Sequence, residues 1–160
     1  MGFYSELESK IVLESEIGKV RNHLGTGKIV FTNGCFDILH PGHVSYLARA
    51  RDLGDYLWVA VNSDASVARL KGPKRPINKL EDRMAVLAAL SSVSFVSSFG
   101  EDTPISILGK IRPQIHTKGG DYQIETLPEY QILKELGATI QILPFLEGKS
   151  TTGILEKAKS

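Results

Sequence analysis

The feature that most constrains the fold is a recurring order of short apolar strand, turn and helical segment. Five mostly apolar runs are predicted to be strands, at residues 28–33, 56–62, 93–97, 114–117 and 139–143. Helical patterns lie between them, as at 43–53, 79–91 and 128–136. Strands that are buried on both faces and alternate with helices predict a doubly wound, Rossmann-like α/β fold with a parallel five-stranded sheet. Ligands bind such sheets beyond the carboxyl ends of the strands, so chemistry is expected in the turns that follow them.

Capping residues predict where several helices begin and end. Asn78, with Glu81 three residues later, is expected to cap the helix over 79–91. Thr103 followed by Pro104 predicts a second helix start, and the Leu136-Gly137 step predicts a helix end. Residues 1–27 precede the first strand and are predicted to form a helical arm on a domain that spans 28–160.

Length and charge exclude several classes of protein. The 160 residues carry 19 Lys and Arg against 18 Asp and Glu, a formal net charge of +1, which argues against a nucleic-acid-binding protein. The single cysteine, Cys35, excludes an intramolecular disulfide and fits a reducing compartment. The sequence contains no apolar run of about 20 residues and no signal-peptide pattern, so no membrane association is predicted. A cytoplasmic protein is expected.

The turn after the first strand carries two histidines at the start of a helix. His40 and His43 flank Pro41 and Gly42, and a helix N-terminus offers free amides and a positive dipole end that favour phosphate. Two imidazoles there add donors that stabilise charge developing on a phosphoryl group. A lone histidine at a helix start is usually a cap, but the pair favours function. A zinc site is disfavoured because no third and fourth ligand follow at zinc spacing.

Cations later in the chain suggest contacts to phosphate. Lys71, Lys74 and Arg75 form a basic loop around Gly72, either a solvated loop or a clamp for departing pyrophosphate. Arg83 lies in the first turn of a helix, where the dipole disfavours a cation, so it requires either an acidic partner or a ligand phosphate. Both alternatives stay open for each feature.

Two further segments carry candidate site residues, one directly after the fourth strand and one at the start of the last helix. Lys118-Gly119-Gly120-Asp121 is either a simple turn or a site for sugar hydroxyls and a sugar phosphate. Ser150-Thr151-Thr152 places hydroxyls at a helix N-terminus, as an ordinary cap or a second phosphate site. Asp37 is expected to order its turn or to face the ligand, and Cys35 to pack as a small apolar residue. His23 and His116 are interpreted as structural or surface residues.

In this order the motifs resemble those of the cytidylyltransferase-like nucleotidyltransferases. The GxFDxxHxGH element of that family is matched by Gly34-Cys35-Phe36-Asp37 and His40-Pro41-Gly42-His43. The other matching segments are Asn62-Ser63-Asp64, Arg69-Leu70-Lys71-Gly72 with Arg75-Pro76, Glu81-Asp82-Arg83-Met84, Lys118-Gly119-Gly120-Asp121-Tyr122 and Ser150-Thr151-Thr152. Together they cover about residues 28–158 and are most similar to the members that adenylylate D-glycero-β-D-manno-heptose 1-phosphate.

The resemblance implies AMP transfer from ATP, with Mg²⁺, to heptose 1-phosphate, which gives ADP-heptose and pyrophosphate by in-line attack at the α-phosphorus. It implies catalytic roles for His40, His43 and Lys71. The nucleotide-binding residues that it implies are Asn33, Gly34, Cys35, Phe36, Asp37, Gly42, Asn62, Asp64, Lys74, Arg75, Arg83, Ser150, Thr151 and Thr152. The sugar-phosphate-binding residues are Lys118, Gly119, Gly120 and Asp121. A stand-alone, homodimeric transferase that supplies lipopolysaccharide core synthesis is expected, although related bifunctional proteins add a sugar kinase.

Two other functions remain in competition. A cytidylyltransferase acting on glycerol 3-phosphate or a similar phosphorylated alcohol would share the fold and the histidines. Phe145-Leu146 stands where that group carries Arg-Thr, which weighs against it, as does the Lys118–Tyr122 segment. A nucleotide- or RNA-binding module is the second alternative, because HxGH is similar to the HIGH element of class I aminoacyl-tRNA synthetases. The missing KMSKS element and the balanced charge disfavour it.

Overall fold

A five-stranded parallel sheet forms the centre of the molecule, in the order β3-β2-β1-β4-β5. The computed structural model describes residues 2–144 and 146–160. The strands are β1 Ile29–Gly34, β2 Tyr56–Asn62, β3 Phe95–Phe99, β4 Ile115–Gly119 and β5 Thr139–Leu143. The helices are α1 Phe3–Ser9, α2 Ile17–His23, α3 Pro41–Arg51, α4 Asp64–Lys71, α5 Leu80–Ala88, α6 Ile105–Ile111, α7 Tyr130–Glu135 and α8 Thr151–Lys159. The predicted doubly wound α/β fold is confirmed.

Both faces of the sheet are covered by apolar side chains. Successive residues of a strand point to opposite faces, so neighbours in sequence enter different halves of the core. Val30 and Leu57 belong to the cluster that contains α3 and α5, whereas Phe31 and Trp58 belong to the cluster that contains α6. All four are fully buried. This two-sided burial is the reason that the strands read as continuous apolar runs.

Two predicted boundaries are wrong, one because of a contact with a distant residue and one because of a local turn. Asn78 does not cap α5, whose N-cap is Lys79. The Asn78 backbone N–H donates instead to Asp37 Oδ1, and its side chain donates to the Asp37 carbonyl. The third strand begins at Phe95, two residues later than predicted, since the Val93 N–H closes a turn onto the carbonyl of Leu90.

The start of α6 also lies one residue later than predicted. Pro104 is its N-cap, and the helix begins at Ile105. The stop predicted at Gly137 is confirmed, because this glycine takes a φ of +69° directly after the C-cap Leu136 of α7. α7 itself begins at Tyr130, two residues later than the predicted start.

Residues 2–27 form two short helices, α1 and α2, joined through a 3-10 turn at Glu14–Glu16. Between the helices, the Val12 N–H donates to the Val96 carbonyl, and the Val96 N–H donates to the Lys10 carbonyl. The segment thereby covers the exposed edge of β3 and removes a free sheet edge. Val12 and Ile17 are buried in the core, so the segment adds to the core as well as preceding β1.

The sheet order places a crevice between β1 and β4. The chain winds outward in one direction through β2 and β3, and in the other through β5, so β1 and β4 meet at the topological switch point. These two strands pair at Val30–Ile115 and Phe31–His116, near their N-terminal ends. Beyond that point the Thr32 hydroxyl donates to the Thr117 carbonyl. The strand ends are thus bridged through a side chain, and a crevice opens above them.

None of the helices among residues 2–144 and 146–160 combines the length and the apolar character needed to cross a bilayer.

Candidate active site

A cavity of about 930 Å³ opens at the carboxyl ends of β1 and β4. Its wall is formed by the end of β1 and the following turn, the starts of α3 and α8, the end of α4 and the end of β4. The lining residues predicted from the sequence are Asn33, Gly34, Cys35, Phe36, Asp37, His40, Gly42, His43, Lys71, Arg75, Lys118, Gly119, Ser150, Thr151 and Thr152. Most of the predicted site residues therefore meet around one space.

His40 and His43 form a stacked pair at the start of α3. Their ring centroids are 3.9 Å apart, with an interplanar angle of 28°. His40 is the N-cap of the helix, and its Nδ1 accepts a hydrogen bond of 3.1 Å from the Gly42 N–H. Because Nδ1 is the acceptor, the ring proton of neutral His40 lies on Nε2. Phe36 packs on the other side of His43, at a centroid distance of 5.4 Å.

Both imidazoles of this pair are neutral at pH 7. Burial, followed by the neighbouring His40, lowers the pKa of His43 to about 4. Burial, followed by the positive charge of Lys149, lowers the pKa of His40. Among the described residues, the buried Nδ1 of His43 has no hydrogen-bond partner. Neutral rings can stack closely without repulsion and still offer N–H donors to an incoming anion.

Gly42 allows the two helix starts that face the cavity to approach each other. A Cβ at this position would lie 2.8 Å from both Cε1 and Nδ1 of His40 and 3.2 Å from Cβ of Lys149. Any larger residue would therefore displace the histidine that caps α3, the segment before α8, or both. The glycine is required by close packing, since its φ is not in the left-handed region.

Asp37 anchors the basic loop to the histidine turn. Its carboxylate accepts hydrogen bonds of 2.6 Å from Arg75 Nε and 2.9 Å from the backbone N–H groups of Ile77 and Asn78. Burial acts to raise the pKa of Asp37, but these donors together hold it below its usual value. Of the two predicted roles, ordering the turn is the one that these bonds show. Arg75 is thereby fixed at the cavity wall.

Arg83 has an acidic partner, the first of its two predicted alternatives. Its guanidinium donates to the Asp64 carboxylate at 2.8 Å and to the backbone carbonyls of Cys35, Asn62 and Asn78. The Arg83 side chain is fully buried. It joins the ends of β1 and β2 to Asn78, in the segment before α5. The nucleotide contact implied for Arg83 stays a prediction.

The start of α8 forms a second helix N-terminus at the cavity. Ser150 is its N-cap, with Oγ accepting a hydrogen bond of 3.0 Å from the Gly153 N–H. Thr151 Oγ1 donates to the Ile38 carbonyl at 3.1 Å, which docks α8 onto the turn before α3. Ser150, Thr151 and Thr152 all line the cavity. The capping role and the position at the cavity are therefore compatible.

Lys118 lies at the end of β4 on the opposite wall. Its Nζ is 2.9 Å from Oε1 of Glu129, a carboxylate that is only 1% exposed. His116 Nε2 contacts the same oxygen at 3.1 Å. His116 is fully buried, so of its two interpretations, structural or surface residue, the surface one is excluded. Tyr122 lies on the solvent side, with its ring centroid 5.9 Å from Lys118 Nζ.

A family model described as cytidylyltransferase-like matches residues 31–153. The chain belongs to the cytidylyltransferase-like family. The resemblance drawn from the motifs is confirmed, and with it the enzyme class of nucleotidyltransferase.

Curated relatives of this cytidylyltransferase-like chain are longer proteins. It is 49% identical over 157 residues to the "Bifunctional protein HldE" of Campylobacter concisus, and 56% identical over 137 residues to that of Azotobacter vinelandii. These matches cover 98% and 86% of this chain, but 32% and 29% of the relatives. The chain therefore spans about a third of the length of the curated relatives it matches.

Solved structures share the fold. A lipopolysaccharide core biosynthesis protein from Thermoplasma volcanium superposes with a TM-score of 0.61 at 32% identity, covering 77% of this chain and 99% of that one. A pantoate-β-alanine ligase from Francisella tularensis superposes with a TM-score of 0.59 at 18% identity, covering 93% of this chain and 76% of that one. The second match shows the likeness of fold alone.

Some residues implied by the family resemblance do not line the cavity. They are Asn62, Asp64, Lys74, Arg83, Gly120 and Asp121. Asn62 donates through Nδ2 to the Ser66 hydroxyl beneath the site. Lys74 and Asp121 are exposed in loops beside it, where contacts to a ligand stay a prediction. Lys71, predicted within the basic loop, is instead the last residue of α4, and the loop begins at Gly72 with a φ of +101°.

Several residues that line the cavity were not predicted from the sequence, among them Tyr46 and Lys149. Tyr46 follows His43 by three positions on α3, and helical spacing alone would have placed it on the same face. Its hydroxyl lies 2.9 Å from Oγ1 of both Thr32 and Thr117 and closes the floor of the cavity. Lys149 directly precedes the cap of α8, so its charge could have been expected there.

Phe145, part of the departure from the glycerol-phosphate pattern, lies outside the described residues. Its neighbour Leu146 lines the cavity.

Proposed function

We propose that this chain transfers the adenylyl group of ATP to D-glycero-β-D-manno-heptose 1-phosphate, releasing pyrophosphate and ADP-heptose. The observation that carries the proposal is the convergence of two neutral histidines and two helix N-termini on one cavity that also holds Lys71, Arg75 and Lys118. Such a site suits a substrate rich in phosphate. The HldE relatives, the lipopolysaccharide core biosynthesis neighbour and the ordered motifs support the heptose acceptor.

The reaction is an in-line displacement at the α-phosphorus of ATP. An oxygen of the sugar phosphate forms the new P–O bond, and the bond from the α-phosphorus to the bridging oxygen breaks, so pyrophosphate leaves with that electron pair. The attacking phosphate is already an anion, so no general base is needed. Catalysis then depends on aligning two anions and stabilising the charge that shifts between them.

Each side of the cavity serves one part of this displacement. The N–H donors of His40 and His43 face the triphosphate and stabilise charge as it develops on the phosphoryl group. Lys71 and the anchored Arg75 hold the departing pyrophosphate, and the free amides of α8 bind a further phosphate. Lys118 and Gly119, across the crevice, bind the phosphate of the acceptor. A cavity of about 930 Å³ offers room for two small substrates.

Mg²⁺ enters this proposal as part of the Mg–ATP substrate. Among residues 2–144 and 146–160, no group of three or more His, Cys, Asp or Glu side chains is placed to hold a metal ion. Mg²⁺ is usually bound through substrate phosphates with one or two carboxylates. Because cations and imidazoles are prominent in the cavity lining, the phosphates of ATP would supply most of the Mg²⁺ ligands.

Pyrophosphate release tests the proposal directly. The purified protein is incubated with Mg–ATP or Mg–CTP, each paired with heptose 1-phosphate or glycerol 3-phosphate. Release with ATP and the heptose phosphate alone supports the proposal. Release with CTP and glycerol phosphate would leave the histidine mechanism in place and overturn the proposed substrates. Binding of ATP without release in any pair would instead favour a nucleotide-binding module.

A further inference from the structure

A buried carboxylate lies behind the lysine on the acceptor side of the cavity. Glu129 is the N-cap of α7, and its Oε1 contacts two side chains from β4, His116 at 3.1 Å and Lys118 at 2.9 Å. Residues two apart on a strand point to the same face, so β4 presents both donors to this one oxygen. Glu129 belongs to none of the sequence motifs, because its carboxylate meets His116 and Lys118 only in the folded chain.

The charges in this group are balanced. Burial alone would raise the pKa of Glu129, but the hydrogen bonds from His116 and Lys118 and the charge of Lys118 lower it to about 2. Burial lowers the pKa of His116, so its ring is neutral and donates through Nε2. Glu129 therefore stays ionised and forms a charged pair with Lys118.

Lys118 faces both the carboxylate and the cavity. Its side chain is 20% exposed and lines the cavity, while its Nζ lies beside an oxygen that solvent does not reach. An ammonium group has three N–H donors, so the bond to Glu129 leaves others for a ligand. Lysine has a long and flexible side chain, and a charged hydrogen bond to a fixed partner selects one of its many conformers.

We propose that Glu129 is a positioning residue, which holds Lys118 Nζ at the cavity wall so that Lys118 can bind the phosphate of the acceptor. This inference rests on the proposed function, whose acceptor carries a phosphate. Glu129 itself does not touch the substrate. Its carboxylate acts through Lys118, by keeping the ammonium oriented in advance of binding.

Steady-state kinetics of Glu129→Gln test this role, since glutamine keeps the size of the side chain and an acceptor oxygen but removes the charge. The KM for the sugar phosphate is expected to rise roughly 10-fold or more, and the KM for ATP to stay within about twofold. Glu135→Gln, the same change at an exposed position of α7, is the matched control and should leave both constants unchanged. An unchanged or lower KM for the sugar phosphate in Glu129→Gln would overturn the proposal.

A double-mutant cycle separates positioning from a general structural effect. If Glu129 acts through Lys118, adding Glu129→Gln to Lys118→Met should raise the KM for the acceptor no further, whereas independent roles would add. If the wild type releases no pyrophosphate with heptose 1-phosphate, the proposed function fails on that result. Calorimetry would then measure the binding of glycerol 3-phosphate and of inorganic phosphate to the wild type, the two single variants Glu129→Gln and Lys118→Met, and the double variant. Equal affinities of the wild type and Glu129→Gln for these phosphates would overturn the role of Glu129.

Discussion

The cavity is faced by two helix N-termini that share one arrangement and differ in what supports it. In α3 the N-cap His40 accepts from the Gly42 N–H through Nδ1, and in α8 the N-cap Ser150 accepts from the Gly153 N–H through Oγ. α3 buries Gly42, Tyr46, Leu47 and Ala50 against the sheet. The described side chains of α8 include none that is buried.

This difference indicates that the two helix starts are held in place with different rigidity. The start of α3 is fixed by the core, and its cap is also one of the two rings that line the cavity. The start of α8 is held through hydrogen bonds such as the one from Thr151 to the Ile38 carbonyl, without buried side chains among its described residues. Precisely aligned electrostatic groups contribute most to catalysis when their surroundings prevent them from moving. We therefore expect equivalent substitutions at the two starts to have unequal effects.

The largest effect is expected from His43→Ala. Loss of one positioned donor to a developing charge costs about 3–4 kcal/mol, so kcat should fall roughly 100- to 1,000-fold. The fold should survive, since the ring lies at the cavity and leaves the sheet unchanged. Pyrophosphate release measures the rate, and a thermal melt checks folding. His23→Ala, on the exposed surface of α2, is the matched control. A rate for His43→Ala close to that of the control would remove His43 from the mechanism.

The next largest effect is expected from replacing a glycine by alanine at each helix start, Gly42 in α3 and Gly153 in α8, which compares the two starts directly. In Gly42→Ala the new Cβ would lie 2.8 Å from the His40 ring, which must turn away and lose both its cap bond and its stacking on His43. A misplacement of this size can lower kcat on the order of 100-fold. In Gly153→Ala the Cβ meets Ser150 Oγ at 3.0 Å, and this hydroxyl can shift.

Alanine also favours a helix by about 1 kcal/mol over glycine, which helps Gly153→Ala. Its kcat should therefore remain within about threefold of wild type. The same pyrophosphate assay measures both variants. Equal losses of kcat in the two variants would show that the start of α8 is as tightly constrained as the start of α3.

The strands could be predicted from sequence because two-sided burial leaves a local signal. The runs at 56–62 and 139–143 agree with β2 and β5 at both ends, and the others differ by one or two residues. The cap predicted at Asn78 failed for a reason that local sequence does not contain. Asp37, some forty residues earlier, binds Asn78 and places it outside the helix.

The same distinction applies to the site. His40 and His43 could be found because a helix start and its cap are local in sequence. For Arg83 the sequence could show only that a partner was needed, and the fold supplied Asp64 and backbone carbonyls from other segments. Glu129 gave no local signal, since the fold alone brings its carboxylate to Lys118, eleven positions earlier in the sequence.

The smallest effect follows from the side chains at the two helix starts, because the imidazoles of α3 titrate in a pH range where the hydroxyls of α8 do not. The pKa of His43 is lowered to about 4, and that of His40 is lowered as well, so unfolding raises proton affinity at both. Their contribution to the free energy of unfolding is complete above about pH 6.5 and is lost as the pH falls toward 4. For His43, which solvent partly screens, the expected loss in the free energy of unfolding is about 1–2 kcal/mol.

Urea unfolding between pH 4 and 7.5 measures this loss. As the pH is lowered, the stability of the wild type relative to His43→Asn should decrease, while its stability relative to Ser150→Ala stays constant. A constant difference from His43→Asn would mean that the two helix starts respond alike to protons.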